Sequence, residues 1–119
     1  MCGIAGILNS KIDLKEEKQK NILEKISESL KSRGPDGHGE YTEHHAALLH
    51  RRLAIVDPEN GRQPMRFGPY IICYNGEIYN TAELKKELED AGQTFETHSD
   101  TEIVLKACAC LLYTSDAAD

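Results

Sequence analysis

Hydrophobic positions along the chain alternate between two periods. Residues 4–8 form a short apolar run with β-branched members, which predicts a strand closed by Asn9 and Ser10. Across residues 14–30, Ile22, Leu23, Ile26 and Leu30 recur at helical spacing among Lys and Glu, which predicts an amphipathic helix. Arg33-Gly34-Pro35 stops it, because Pro cannot continue a helix and Gly suits its cap. The Gly- and Pro-dense residues 34–39 predict a loop. Short strands follow at residues 41–42, 46–50 and 53–56, the last two separated by Arg51 and Arg52, with a turn at 57–61. Residues 70–74 predict another strand, closed by the tight-turn dipeptide Asn75-Gly76.

A second helix is expected from Asn80, with Glu83 completing a capping box, Leu84 and Leu88 on its inner face, and Gly92 at its end. Residues 94–97 predict a short strand. Ser99 and Glu102 form a second capping-box pair opening a third helix through Ile103, Val104 and Leu105. Strands outnumber helices and do not alternate with them, so the fold class is α+β rather than a doubly wound parallel sheet.

The chain has 119 residues, enough for one small domain. Lys and Arg number 14 against 20 Asp and Glu, a formal net charge of -6, the opposite of the basic surplus a nucleic-acid binder carries. No apolar run approaches the roughly 18 residues that span a bilayer, and the start lacks the basic flank of a secretory signal. The expectation is a cytoplasmic protein with neither nucleic-acid nor membrane partners.

Cysteines stand at positions 2, 73, 108 and 110. With no sign of secretion and no zinc-type spacing, neither disulfides nor a metal site is expected. Cys73 sits in an apolar run and reads as a small buried thiol. Cys2 follows the initiator Met, whose removal would leave a thiol and a free α-amine on one residue. The amine has an ordinary pKa of about 7.7 to 8.0 and can serve as the thiol's own general base. Alone, a Met-Cys start is a weak signal.

Other segments accompany it. Met1-Cys2-Gly3-Ile4-Ala5-Gly6, Arg33-Gly34-Pro35-Asp36-Gly37, His50-Arg51-Arg52-Leu53-Ala54-Ile55-Val56-Asp57, Tyr74-Asn75-Gly76-Glu77-Ile78-Tyr79-Asn80 and Ser99-Asp100-Thr101-Glu102 occur in this order. The set resembles the glutaminase domain of glutamine-hydrolysing asparagine synthetases, class II glutamine amidotransferases of the N-terminal-nucleophile superfamily. The resemblance runs from Met1 to about Leu105. It implies an αββα sandwich, two antiparallel sheets between helical layers, here incomplete at the C-terminus. It implies hydrolysis of glutamine to glutamate, with ammonia passed to an ATP- and Mg-dependent synthetase domain that amidates aspartate and is not present here. The chain itself is expected to hold no cofactor. The implied partners are glutamine and that synthetase domain, and the resemblance allows a homodimer.

By the matched motifs, Cys2 is the nucleophile, and the Asn75 side-chain amide and the Gly76 N–H stabilise the oxyanion. Arg52 offers a bidentate fork to glutamine's α-carboxylate, and Asp100 offers a carboxylate to its α-ammonium. Glu77 and the backbone around Leu53, Ile55 and Val56 line the same pocket. The loop at 33–37 is the expected mobile segment beside the nucleophile. Taken singly, each has a plainer reading: Arg52 as surface charge, Asn75-Gly76 as a hairpin turn, Asp100 as a helix-dipole residue, His50 as filler. Their joint occurrence in order with Cys2 favours the site.

The family pattern breaks near Ala107-Cys108. Residues 1–107 are expected to be the amidotransferase part, and residues 108–119 a non-family tail, since residues 108–113 lack a polar face and the end is small and acidic. Two other functions stay open on sequence: another class II amidotransferase with a different ammonia acceptor, and a glutamine-binding or interaction fragment without activity.

Overall fold

The structure is a computed structural model that describes residues 2–53 and 61–118, with side chains through Leu111. Its elements, in chain order, are β1 (Gly3–Leu8), α1 (Glu17–Ser29), β2 (Gly37–Thr42), β3 (Ala46–Arg52), β4 (Met65–Phe67), β5 (Tyr70–Ile72), α2 (Thr81–Asp90) and α3 (Asp100–Ala118). Among the described residues there are two antiparallel sheets, β1-β3-β2 and β4-β5. The fold is α+β, as the patterning predicts.

Strand alternation assigns the faces of the first sheet. Ala47 and Leu49 of β3 point to α1 and form a core with Leu14 and Leu23, joined by Ala5, Ile7 and Ile26. Arg51, on the same face, donates from Nε to the carbonyl and hydroxyl oxygens of Ser27, both at 3.0 Å. The even-numbered positions face the other way. Ile4, Gly6 and Leu48 line a cavity whose opposite wall is Ile71, Ile72 and Cys73, so the two sheets look at each other across it. α3 packs on β4, β5 and α2. α1 thus lies against the first sheet and α3 against the second.

Several local expectations change. The first helix starts at Glu17, and Leu14 reaches the core from the turn before it, its N–H bonded to the His44 carbonyl at 2.8 Å. Ile22 is 41% exposed, whereas Ser27 is buried. The inner stripe follows Leu23, Ile26 and Ser27, and the Arg51 bonds satisfy the one polar member. β2 begins at Gly37, inside the predicted loop, because β3 offers it a full pairing edge from Arg52 to Ala47. β3 runs unbroken through Arg51 and Arg52. The predicted strand at 53–56, beyond Leu53, and the turn at 57–60 lie outside the described residues. β4 has no counterpart in the sequence reading, and β5 ends at Ile72.

The strand predicted at 94–97 is absent. The N–H groups of Glu96 and Thr97 bond the Glu102 carboxylate instead of a neighbouring strand. α2 is capped at Asn80 without a side-chain bond, so the Asn80–Glu83 box does not form, while Gly92 ends the helix at φ +97. α3 continues through Ala107-Cys108 to Ala118 and presents Leu111 to solvent.

Candidate active site

The two β3 arginines are separated by the pleat. Arg51 turns to α1, and Arg52, the last residue of β3, turns to the face shared with Ile4 and His50. Cys2 lies one residue before β1 and on that same face. Its Sγ accepts the Leu53 N–H at 3.2 Å and sits 3.7 Å from the Leu53 carbonyl oxygen, which fixes the direction of the side chain. The 34–36 segment is seated on the end of β3: the Asp36 N–H donates to the Arg52 carbonyl at 2.9 Å, and Pro35 bridges Arg52. A Cβ at Gly34 would collide with the Arg51 carbonyl, so this approach requires glycine.

Asn75, Gly76 and Glu77 follow β5 in a segment without strand or turn structure. Asn75-Gly76 is therefore not a hairpin turn. Asn75 Nδ2 donates to the Cys2 carbonyl oxygen at 3.1 Å, which ties this segment to Cys2 and leaves a second amide hydrogen. A Cβ at Gly76 would stand 2.9 Å from the Tyr74 hydroxyl, so a larger residue would have to displace that ring.

Asp100 opens α3. Ser99 caps that helix, its Oγ accepting the Thr101 N–H at 3.1 Å. The predicted box is altered: the Ser99 N–H goes to Thr97 Oγ1, and Glu102 reaches back to residues 96 and 97. Burial would raise the Glu102 carboxyl. The donors from Glu96 and Thr97, with Lys106 at 3.1 Å, outweigh burial and hold it below the usual carboxylate range. Lys106 in turn donates to the Thr94 carbonyl and stands over the rings of Phe67 and Phe95.

These segments close around one cavity of about 550 Å³, lined by Cys2, Arg52, Leu53, Asn75, Gly76, Glu77 and Asp100 among others. The volume is that of a small-molecule site. One cation and two carboxylates on its wall suit a ligand that carries both charges. Ile55 and Val56 lie outside the described residues. Among the described residues no group of three or more His, Cys, Asp or Glu could hold a metal ion, and no helix is long and apolar enough to cross a membrane.

Among the lining residues to which the sequence reading gave no role in the pocket are His50, Gln63, Tyr74 and Thr101. His50 is 1% exposed, and its Nε2 has no hydrogen-bond partner among the described residues. Burial, aided by Arg52, pushes its pKa down to about 4. Its even position on β3, shared with Arg52, was the signal that could have found it. Burial, then Asp100 and Glu77, raises the Tyr74 hydroxyl. Cys73 is outside the cavity; burial pushes its thiol up to about 11, which leaves it a poor nucleophile at neutral pH.

Known proteins have similar sequences. The family described as glutamine amidotransferase domain matches residues 1–111. Asparagine synthetase [glutamine-hydrolyzing] 3 of Bacillus subtilis is 47% identical over 109 residues, covering 88% of this chain and 17% of the relative. Asparagine synthetase [glutamine-hydrolyzing] 1 of the same organism is 41% identical over 107 residues, with the same coverage. Asparagine synthetase B of Escherichia coli is 39% identical over 107 residues, covering 88% of this chain and 19% of the relative. The chain thus spans less than a fifth of the length of these relatives. With the match extending across the cavity and every segment that lines it, this chain belongs to the glutamine amidotransferase domain family.

Proposed function

We propose that the chain hydrolyses glutamine to glutamate and ammonia as the glutaminase part of a glutamine-hydrolysing asparagine synthetase. The observation that carries this reading is the convergence of Cys2, Arg52, Asn75, Gly76 and Asp100, far apart in sequence, on one cavity. The layering of α1, two facing sheets and α3 supports an N-terminal-nucleophile αββα sandwich as the finer fold.

Removal of Met1 exposes the Cys2 α-amine, which takes the thiol proton. The sulfur attacks the side-chain carbonyl carbon of glutamine, and the developing oxyanion is met by the Asn75 amide and the Gly76 N–H. The C–N bond breaks, ammonia leaves with the proton held by the amine, and water then cleaves the thioester to glutamate. Arg52 pairs with the substrate α-carboxylate and Asp100 with its α-ammonium, so the amide is presented to Sγ in one orientation. In this reading ammonia is consumed in the amidation of aspartate by a linked synthetase domain, to which ATP and magnesium are assigned, and a homodimer is the self-association to examine.

The test is ammonia release from glutamine by this chain and by Cys2→Ala, with the N-terminus of each read by mass spectrometry. Release above background from the parent only, with Met1 removed, is expected. Equal release from both would sink the proposal.

A further inference from the structure

We propose that Gln63 is a positioning residue: its side-chain amide locks the Asn75 segment and the start of α3 at a set separation, and so fixes the length of the pocket. Gln63 Oε1 accepts the Tyr74 N–H at 2.6 Å, and Nε2 donates to the Tyr74 carbonyl oxygen at 3.0 Å. A side-chain amide thus pairs with both main-chain groups of one residue, as an adjacent strand would. The second Nε2 hydrogen goes to Thr101 Oγ1 at 3.0 Å. Both donors are used, and the arrangement admits no exchange of O and N, since that would set oxygen against oxygen and N–H against N–H.

The two anchor points are the residues next to the groups that handle substrate. Tyr74 precedes Asn75 and Gly76, and Thr101 follows Asp100. Neither segment pairs with the other through a strand, because β5 stops at Ile72 and residues 73–78 carry no regular structure. Gln63 supplies the missing ladder from outside. Its own backbone lies close against β2, since a Cβ at Gly39 would collide with the Gln63 carbonyl oxygen. The strut therefore refers the oxyanion donors and the ammonium-binding carboxylate to the same rigid sheet that carries Arg52. For a substrate gripped at its α-carbon and cut at its side-chain amide, that distance decides whether the amide meets Sγ.

This inference rests on the glutaminase reading, and the experiment separates the two. Cys2 is alkylated with iodoacetamide and with the chloroketone analogue of glutamine, and the Cys2 peptide is quantified by mass spectrometry in the parent, Gln63→Leu and Thr101→Val. The parent should saturate with the chloroketone. In Gln63→Leu the half-saturating concentration should rise about tenfold, with the iodoacetamide rate at Cys2 unchanged. Thr101→Val keeps the volume and removes one bond, so a rise of about threefold is expected and guards against a poorly folding Gln63→Leu. An unchanged half-saturation, or both reagents slowed by the same factor, overturns the positioning role. If the parent shows no saturation, the glutaminase reading falls. Amide exchange at Tyr74 then decides the strut: protection lost in Gln63→Leu upholds it, and equal protection overturns it.

Discussion

The Leu53 N–H donates to Cys2 Sγ at 3.2 Å, joining the end of β3 to the residue before β1. The contact is a main-chain one on the Leu53 side, so side-chain changes test its neighbours separately. Leu53→Ala should leave the chloroketone labelling rate of Cys2 within about threefold. Asn75→Ala removes the amide that holds the Cys2 carbonyl at 3.1 Å, and glutamine turnover should fall about 10²- to 10³-fold with KM little changed. Peptide mapping of labelled Cys2 checks the first and steady-state ammonia release the second, and a large loss of labelling in Leu53→Ala would contradict the geometry.

The chloroketone should select among the four thiols. Cys108 is exposed and will take iodoacetamide, while Cys73 is half-buried with its thiol pushed up to about 11. The glutamine-shaped reagent should label Cys2 and spare Cys73 at neutral pH. Peptide mapping after limited reaction reads this directly, and labelling at Cys73 ahead of Cys2 counts against the site.

Adjacent arginines should fail differently. Arg52→Lys keeps the charge but loses the fork, so KM for glutamine should rise about tenfold with the melting temperature unmoved. Arg51→Met removes the donor to the Ser27 hydroxyl in the α1–β3 interface, while the Ser27 carbonyl keeps the Leu30 N–H, at a cost of about 1 to 3 kcal/mol. Denaturant melts beside glutamine titrations would show the split, and the same phenotype in both variants would refute it.

Glu102 and Lys106 form an ion pair with side chains only 6% and 9% exposed. Lys106→Met takes the cation from a buried carboxylate that keeps the Glu96 and Thr97 donors, and a loss of about 3 kcal/mol is expected. Glu102→Gln combined with Lys106→Met removes both charges and should recover part of that loss. A double variant less stable than Lys106→Met would show that Glu102 contributes through its backbone bonds more than through the pair.

Acid should destabilise the fold in two steps. The unfolded chain binds a proton at His50 near its ordinary 6.5, whereas the folded chain does so only near about 4. Between those values the unfolded state binds more protons, so stability falls as pH is lowered, by about 3 kcal/mol in total, and is flat in this group above about pH 7. Glu102, held below its ordinary value, adds a further loss at lower pH as its folded form takes up a proton. His50→Gln should remove the first slope and keep the second, as read from urea midpoints across pH.

Local signals made much of this legible. β1 and α1 follow from periodicity, and Gly92 ends α2 because a residue at φ +97 favours glycine. β4 escaped notice because three residues are too few to display alternation. Residues 94–97 read as a strand by composition, yet the Glu102 carboxylate takes the N–H groups a strand would have offered. Gln63 gave no sequence signal, since its role depends on Tyr74 and Thr101, respectively 11 and 38 residues away.

By itself the sequence determined the family motifs, the α+β class and the residue types a zwitterionic amide would need. Those are local or ordered along the chain, so they survive without coordinates. Tertiary structure decided which of two neighbouring arginines enters the cavity, that Ser27 rather than Ile22 faces the sheet, and that His50 is buried without a partner for Nε2 among the described residues. The physical reason is the strand pleat together with long-range pairing. A one-residue step along β3 reverses the face, and only the register with β1 and β2 sets which face is which.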